Sequence, residues 1–196
     1  MRIRYNAPVT LTFALTATVV LVIDLLSGRA LTAGYFSIGP ALDFANPVQW
    51  PRLVLHVIGH ADWNHLIGNF AFILLLGPML EKMYGSAGIL FMMLLTALVT
   101  GLLNVLLLST GLLGASGIVF MMILLASFGK HERSGEIPLT FILVLLLYLT
   151  REVLTSVRQD SISQFAHVIG GICGSLFGLI GARRHETSPA AAGEQD

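Results

Sequence analysis

Ser116 stands in Gly114-Ala115-Ser116-Gly117, a hydroxyl flanked by glycines that let the backbone turn sharply and strip away side-chain cover. An apolar stretch begins at this point, so its unpaired first amides and positive dipole end face the same spot, a place for a developing oxyanion. The string alone is weak evidence. With 20 glycines in 196 residues, a Gly-x-Ser-Gly arises by chance in roughly one such sequence in ten, and a serine there also serves as a helix cap. His167 changes the balance, because neutral imidazole is the side chain best matched to taking a proton from a hydroxyl near neutral pH. Gly170 and Gly174 follow it at i+3 and i+7 on one helical face, where another helix can approach closely. A neighbour beginning at Ser116 would bring the hydroxyl within reach of the imidazole; the structural alternative is a histidine hydrogen-bonded between helices. His65 and Asn69 are four apart and face the same way, and both offer side-chain N–H donors that could join the Ser116 amide around a tetrahedral oxyanion. Their structural alternative is interhelical hydrogen bonding.

His56, His60 and His65 invite a metal test, since His56 and His60 also have i, i+4 spacing and three imidazoles can hold zinc. There is no His-Glu-x-x-His string and the only carboxylate nearby is Asp62, so these histidines read as pins that hold a loop to the bundle by hydrogen bonds. The single cysteine, Cys173, excludes a disulfide and a cysteine-ligated zinc site, and its apolar surroundings make it a packing residue. No metal and no cofactor is expected.

The elements that must position these groups are membrane spans. The chain is 55% hydrophobic and 11% charged, with mean hydropathy +0.82, whereas soluble domains carry about 25% charged residues. A formal net charge of +0 leaves no basic field for nucleic acid. Six segments approach the roughly 17 to 25 apolar residues a span requires: Pro8 to Leu26, His65 to Leu80, Ala87 to Leu108, Ser116 to Phe128, Ile137 to Thr150 and Phe165 to Ala182. The fourth and fifth are short enough to be core helices shielded by their neighbours. With both termini inside, seven Lys and Arg lie on the inner side against four on the outer, which favours N-in and C-in. The first segment exceeds the usual length of about 7 to 15 residues for a signal-peptide core and is taken as a retained span.

Residues 27–64 form a long outer segment, rich in Gly and Pro with Trp50 and Trp63 at interfacial positions, folded onto the membrane surface. Ser109 to Ala115 and Lys130 to Glu136 read as tight turns. Residues 1–184 then make one all-α membrane domain, followed by a solvated cytoplasmic tail over 185–196. On this topology His65, Asn69, Ser116 and His167 converge in the outer leaflet from three helices. A small transporter lined by Asn69 and Asn104 fits less well, because the polar groups do not continue through the membrane.

In this arrangement the chain resembles the rhomboid family of intramembrane serine proteases, over nearly its whole length to Ala182. The resemblance rests on HVIGHADWNHLIGN with His56, His60, His65 and Asn69, on LGPMLEKMYGS, on GASG at 114 to 117, and on AHVIGGICG at 166 to 174. It implies a six-helix bundle, a Ser-His dyad without a required aspartate, a cavity open to the outer side, and cleavage of transmembrane substrates near that face. By the same resemblance Ser116 is the nucleophile, His167 the general base, and His65, Asn69 and the Ser116 amide the oxyanion donors, supported by Gly114, Gly117, Phe120, Gly170 and Gly174. Two positions depart from the family pattern: Pro51 separates Trp50 from Arg52, and Phe120 stands where Tyr is common. Phe120 should still stack on the His167 ring. A bacterial-type plasma membrane is the expected location. The rival function is a non-enzymatic rhomboid-like protein that binds membrane clients.

Overall fold

A computed structural model describes residues 5–108, 110–127 and 162–186, with side chains over 165–180 in the last stretch, and scattered helical positions between 139 and 150. Apart from those positions, the expected fifth span and the Lys130 to Glu136 turn lie outside the described residues, as does the tail from 187 onward. All regular elements among the described residues are helices: α1 (Pro8–Leu26), α2 (Ala30–Tyr35), α3 (Arg52–Leu55), α4 (Trp63–Leu107), α5 (Ser116–Ser127) and α6 (Ile162–Glu186), with one 3-10 turn at Pro47–Gln49.

Pro8 opens α1 in the first turn, where its missing N–H costs nothing. Small residues Ala14 and Ala17 and the larger Leu21 face inward, and Ala17 and Leu21 pack on Leu66 of α4, while Leu15, Val19 and Ile23 face out. In its last turn the carboxylate of the buried Asp24 accepts from the Thr32 amide at 2.7 Å and from Arg29 at 3.3 Å. Gly28 and Arg29 take positive φ there, 66° and 72°, and turn the chain into α2.

The 45-residue α4 is a helical hairpin, because Gly85 has φ 75° and ψ 157° and reverses the chain. Each arm has about 22 residues and spans roughly 33 Å, enough for the hydrocarbon core. The second and third expected spans are these arms, the second running from Trp63, two residues before His65, up to the Gly85 break rather than stopping at Leu80. Asp62 caps the incoming arm by accepting from the His65 amide at 2.8 Å.

Glu81 locks the end where α1 begins and α4 bends. This buried carboxylate accepts from the Val9 and Thr10 amides at 3.0 and 3.1 Å, the Thr10 hydroxyl at 2.9 Å and the Ser86 hydroxyl at 2.7 Å. It satisfies the free amides that open α1 and ties them to the hairpin bend. Gly77 lies against Thr10, where a Cβ would come within 2.5 Å of Thr10 Cγ2. The LGPMLEKMYGS run is therefore a joint between α1 and α4.

Helix α5 is apolar all round and sits at the centre, with Val119, Met121, Met122 and Leu125 fully buried. It runs parallel to α6: Gly170 sits on the Gly117 backbone and Gly174 on that of Met121, and a methyl at either glycine would collide with the facing carbonyl.

The segment before α5 differs from the expected tight turn. Leu112 forms an isolated antiparallel bridge with Ile38 of the outer segment, at 2.8 and 2.9 Å, so this stretch is extended chain paired to its neighbour. The buried Asn104 holds the other side, donating to the Thr110 carbonyl at 2.7 Å and accepting from its hydroxyl at 3.3 Å. Asn104 is thus a loop staple and lines no path.

The outer segment is folded against the helices. Arg52 donates to the Ala33 and Gly34 carbonyls at the end of α2, at 2.5 to 2.8 Å, and the Trp50 indole donates to the Phe44 carbonyl at 3.2 Å. Pro51 does not prevent either residue from bracing this segment.

Candidate active site

Three elements meet at the end of the bundle where α5 begins. The Val119 amide donates to the Ala115 carbonyl at 3.0 Å, so α5 starts at Ser116 and its first amides have no partner within the helix. Just before it, Gly114 has φ 108°, a backbone region that favours glycine, and a Cβ there would come within 2.5 Å of the His65 ring. The Gly114 amide donates to the His56 carbonyl at 2.9 Å, so the loop carrying Ser116 hangs from the outer segment.

His167 is 4% exposed and stacks on Phe120, with ring centroids 4.4 Å apart and planes 14° apart. Phe120 lies one turn below Ser116, which is itself 7% exposed, and the Ala166 carbonyl faces Gly117. The structure therefore brings the serine turn and the histidine turn together through the glycine contact that the i+3, i+7 spacing anticipated. A stacked imidazole keeps its two nitrogens at the edge of the ring, directed away from the stacking face.

The three other candidate histidines have distinct settings. His56 Nδ1–H donates to the Arg52 carbonyl at 3.2 Å, and burial pushes its pKa down to about 4. His60 Nδ1–H donates to the Ile58 carbonyl at 3.0 Å; burial, and secondarily the neighbouring His65, lower its pKa to about 4. Neutral His60 then has a bare Nε2, which accepts from Asn69 Nδ2 at 3.1 Å. One of the two Asn69 N–H groups is committed to this bond.

His65 lies edge-on to His60, centroids 5.1 Å apart, and its Nδ1 accepts from the Ala61 amide at 3.4 Å. That bond favours the tautomer with the proton on Nε2, the nitrogen beside Gly114. His65 is also within electrostatic reach of His167. Among the described residues no group of three His, Cys, Asp or Glu is arranged to hold a metal. Cys173 is buried in the core beside α5.

Sequence reasoning overlooked two buried carboxylates, Asp24 and Glu81. The available signal for Glu81 was an isolated acid in an apolar run, four residues before Gly85-Ser86. A family model described as Rhomboid domain matches residues 47–184, more than half of the chain. No individual curated protein matches the chain significantly.

Proposed function

The chain belongs to the rhomboid family, and from that premise we propose that it is a multi-span intramembrane serine protease of a bacterial-type plasma membrane. In this reading six spans over residues 1–184 place both termini inside, and the enzyme cleaves transmembrane substrates near the outer face. The carrying observation is the seating of His167 on Phe120, one turn from Ser116, with Gly170 pressed on Gly117.

Ser116 attacks the carbonyl carbon of a peptide bond while His167 takes the hydroxyl proton, then returns it to the leaving amine as the C–N bond breaks. Water admitted from the outer side hydrolyses the acyl-enzyme. The Ser116 amide, His65 Nε2–H and the uncommitted Asn69 N–H stabilise the oxyanion. His56 and His60 are structural pins of the outer segment. Since carbonyls of an intact helix are hydrogen-bonded and covered, substrates unwind locally, and Gly or Pro near the outer boundary should favour cleavage.

Reconstitution in vesicles with a reporter carrying such a transmembrane segment tests the reading. Cleavage within the outer half of the reporter helix, lost in Ser116→Ala and His167→Ala, is expected. An intact reporter bound by well-folded protein would replace protease with client binding.

A further inference from the structure

Away from the serine and histidine, a groove of about 420 Å³ runs between α1 and the outgoing arm of α4. Pro8 and Ser86 mark one end; Ala97 and Ile118 mark the other, where Val54 of α3 and Ile58 just beyond it close the groove. Along α4 the wall from Ser86 to Ala97 rises roughly 16 Å at about 1.5 Å per residue. Half of a hydrocarbon core of about 30 Å is about 15 Å. The groove is thus as tall as one leaflet and begins at the level of the α1 N-terminus.

Its walls determine what can fill it. Among the described residues that line it none is charged, and the side-chain hydroxyls are those of Thr12, Thr16 and Ser86, the last already donated to Glu81. Water there would lack the two to four partners it needs, and an apolar void forfeits packing. Lys82, next to Glu81 and three residues before the Gly85 bend from which the groove's Ser86 follows, is exposed and supplies a cation at the depth where the groove begins.

We propose that this groove is a lipid site that holds one acyl chain of an inner-leaflet phospholipid, with its phosphate toward Lys82. The proposal rests on the multi-span membrane reading above and is independent of the catalytic one.

The test is photolabelling of the full chain in phosphatidylcholine and phosphatidylglycerol vesicles containing a phospholipid with a diazirine on its acyl chain, followed by peptide mapping. Adducts over 86–97 should exceed those at the exposed Leu74 and Leu75 of the incoming arm by about tenfold, the contrast of a site preferred by about 1.4 kcal/mol. Thr16→Trp, or Leu94→Trp should the first fail to fold, should fill the groove and bring labelling down to that background. Even labelling in protein that resists alkaline extraction would overturn the lipid site alone, whereas extraction of the protein would overturn the membrane reading itself. Displacement of the adducts by a transmembrane substrate peptide would give the groove to substrate and overturn the proposal.

Discussion

The α5–α6 contact beside Ser116 and the α1–α4 joint at Glu81, expected on the outer and inner sides, are built with the same device and finish differently. Each uses glycines to bring a helix into close contact, Gly170 and Gly174 in one and Gly77 in the other. At the inner joint the buried ionisable group, Glu81, is saturated by four donors from Val9, Thr10 and Ser86. At the outer contact the histidine is held by an aromatic stack on Phe120, beside a helix start whose amides have no intrahelical partner. A costly polar group in an apolar helix is therefore not by itself a mark of chemistry. In this molecule the carboxylate enclosed by fixed donors holds a joint, whereas the histidine lies stacked beside the start of a helix.

The comparison breaks most sharply at Ser116. Ser116→Ala should lower substrate cleavage by at least about a thousandfold with the melting temperature little changed, measured as initial rates in vesicles; an equal fall in stability would make Ser116 a structural cap. At the joint the effects should be reversed. Glu81→Ala leaves the opening amides of α1 without their acceptor, and should destabilise by about 2–4 kcal/mol while the folded fraction keeps its turnover per molecule, read by thermal unfolding alongside active-site titration.

The site was more legible than the joint because its residue types announce chemistry. A hydroxyl between glycines and a histidine with glycines at i+3 and i+7 carry their own geometric logic, and the structure seats them on parallel helices. Glu81 was illegible because its role depends on Val9 and Thr10, more than 70 positions away, and a carboxylate that meets its donors only after folding leaves no local pattern. The span from Pro8 to Leu26 was readable residue for residue from apolar length and an opening proline. The loop before α5 differs from the expected tight turn because Leu112 pairs with Ile38 more than 70 positions away, and such long-range pairing leaves no mark in a short local run.

Asn69→Ala should sharpen the donor assignment by lowering turnover about a hundredfold, within the cost of one oxyanion donor, without abolishing it. Activity as low as in Ser116→Ala, with folding intact, would contradict a donor role shared with His65 and the Ser116 amide. Phe120→Leu, which removes the stack but keeps an apolar side chain, should cost about tenfold in kcat with KM unchanged; a change in KM alone would make Phe120 a substrate contact.

The mildest expected effect concerns pH. His56 and His60 have pKa values pushed from 6.5 to about 4 in the folded chain, so between those values the unfolded chain binds more protons and stability rises with pH. Stability from these two pins should be complete above about pH 6.5 and fall progressively toward pH 4, as protonation of His60 Nε2 removes its acceptor for Asn69. Thermal unfolding across this window should show the loss, and His56→Gln should shrink it.

The most direct measurement is labelling of the detergent-solubilised protein by a fluorophosphonate serine probe, with Ser116→Ala and His167→Ala alongside. Labelling in the wild type that disappears in both variants is the predicted result, because Ser116 is nucleophilic only with His167 as its base. Labelling that persists in folded His167→Ala at the wild-type rate would contradict the pairing on which the proposed activity rests.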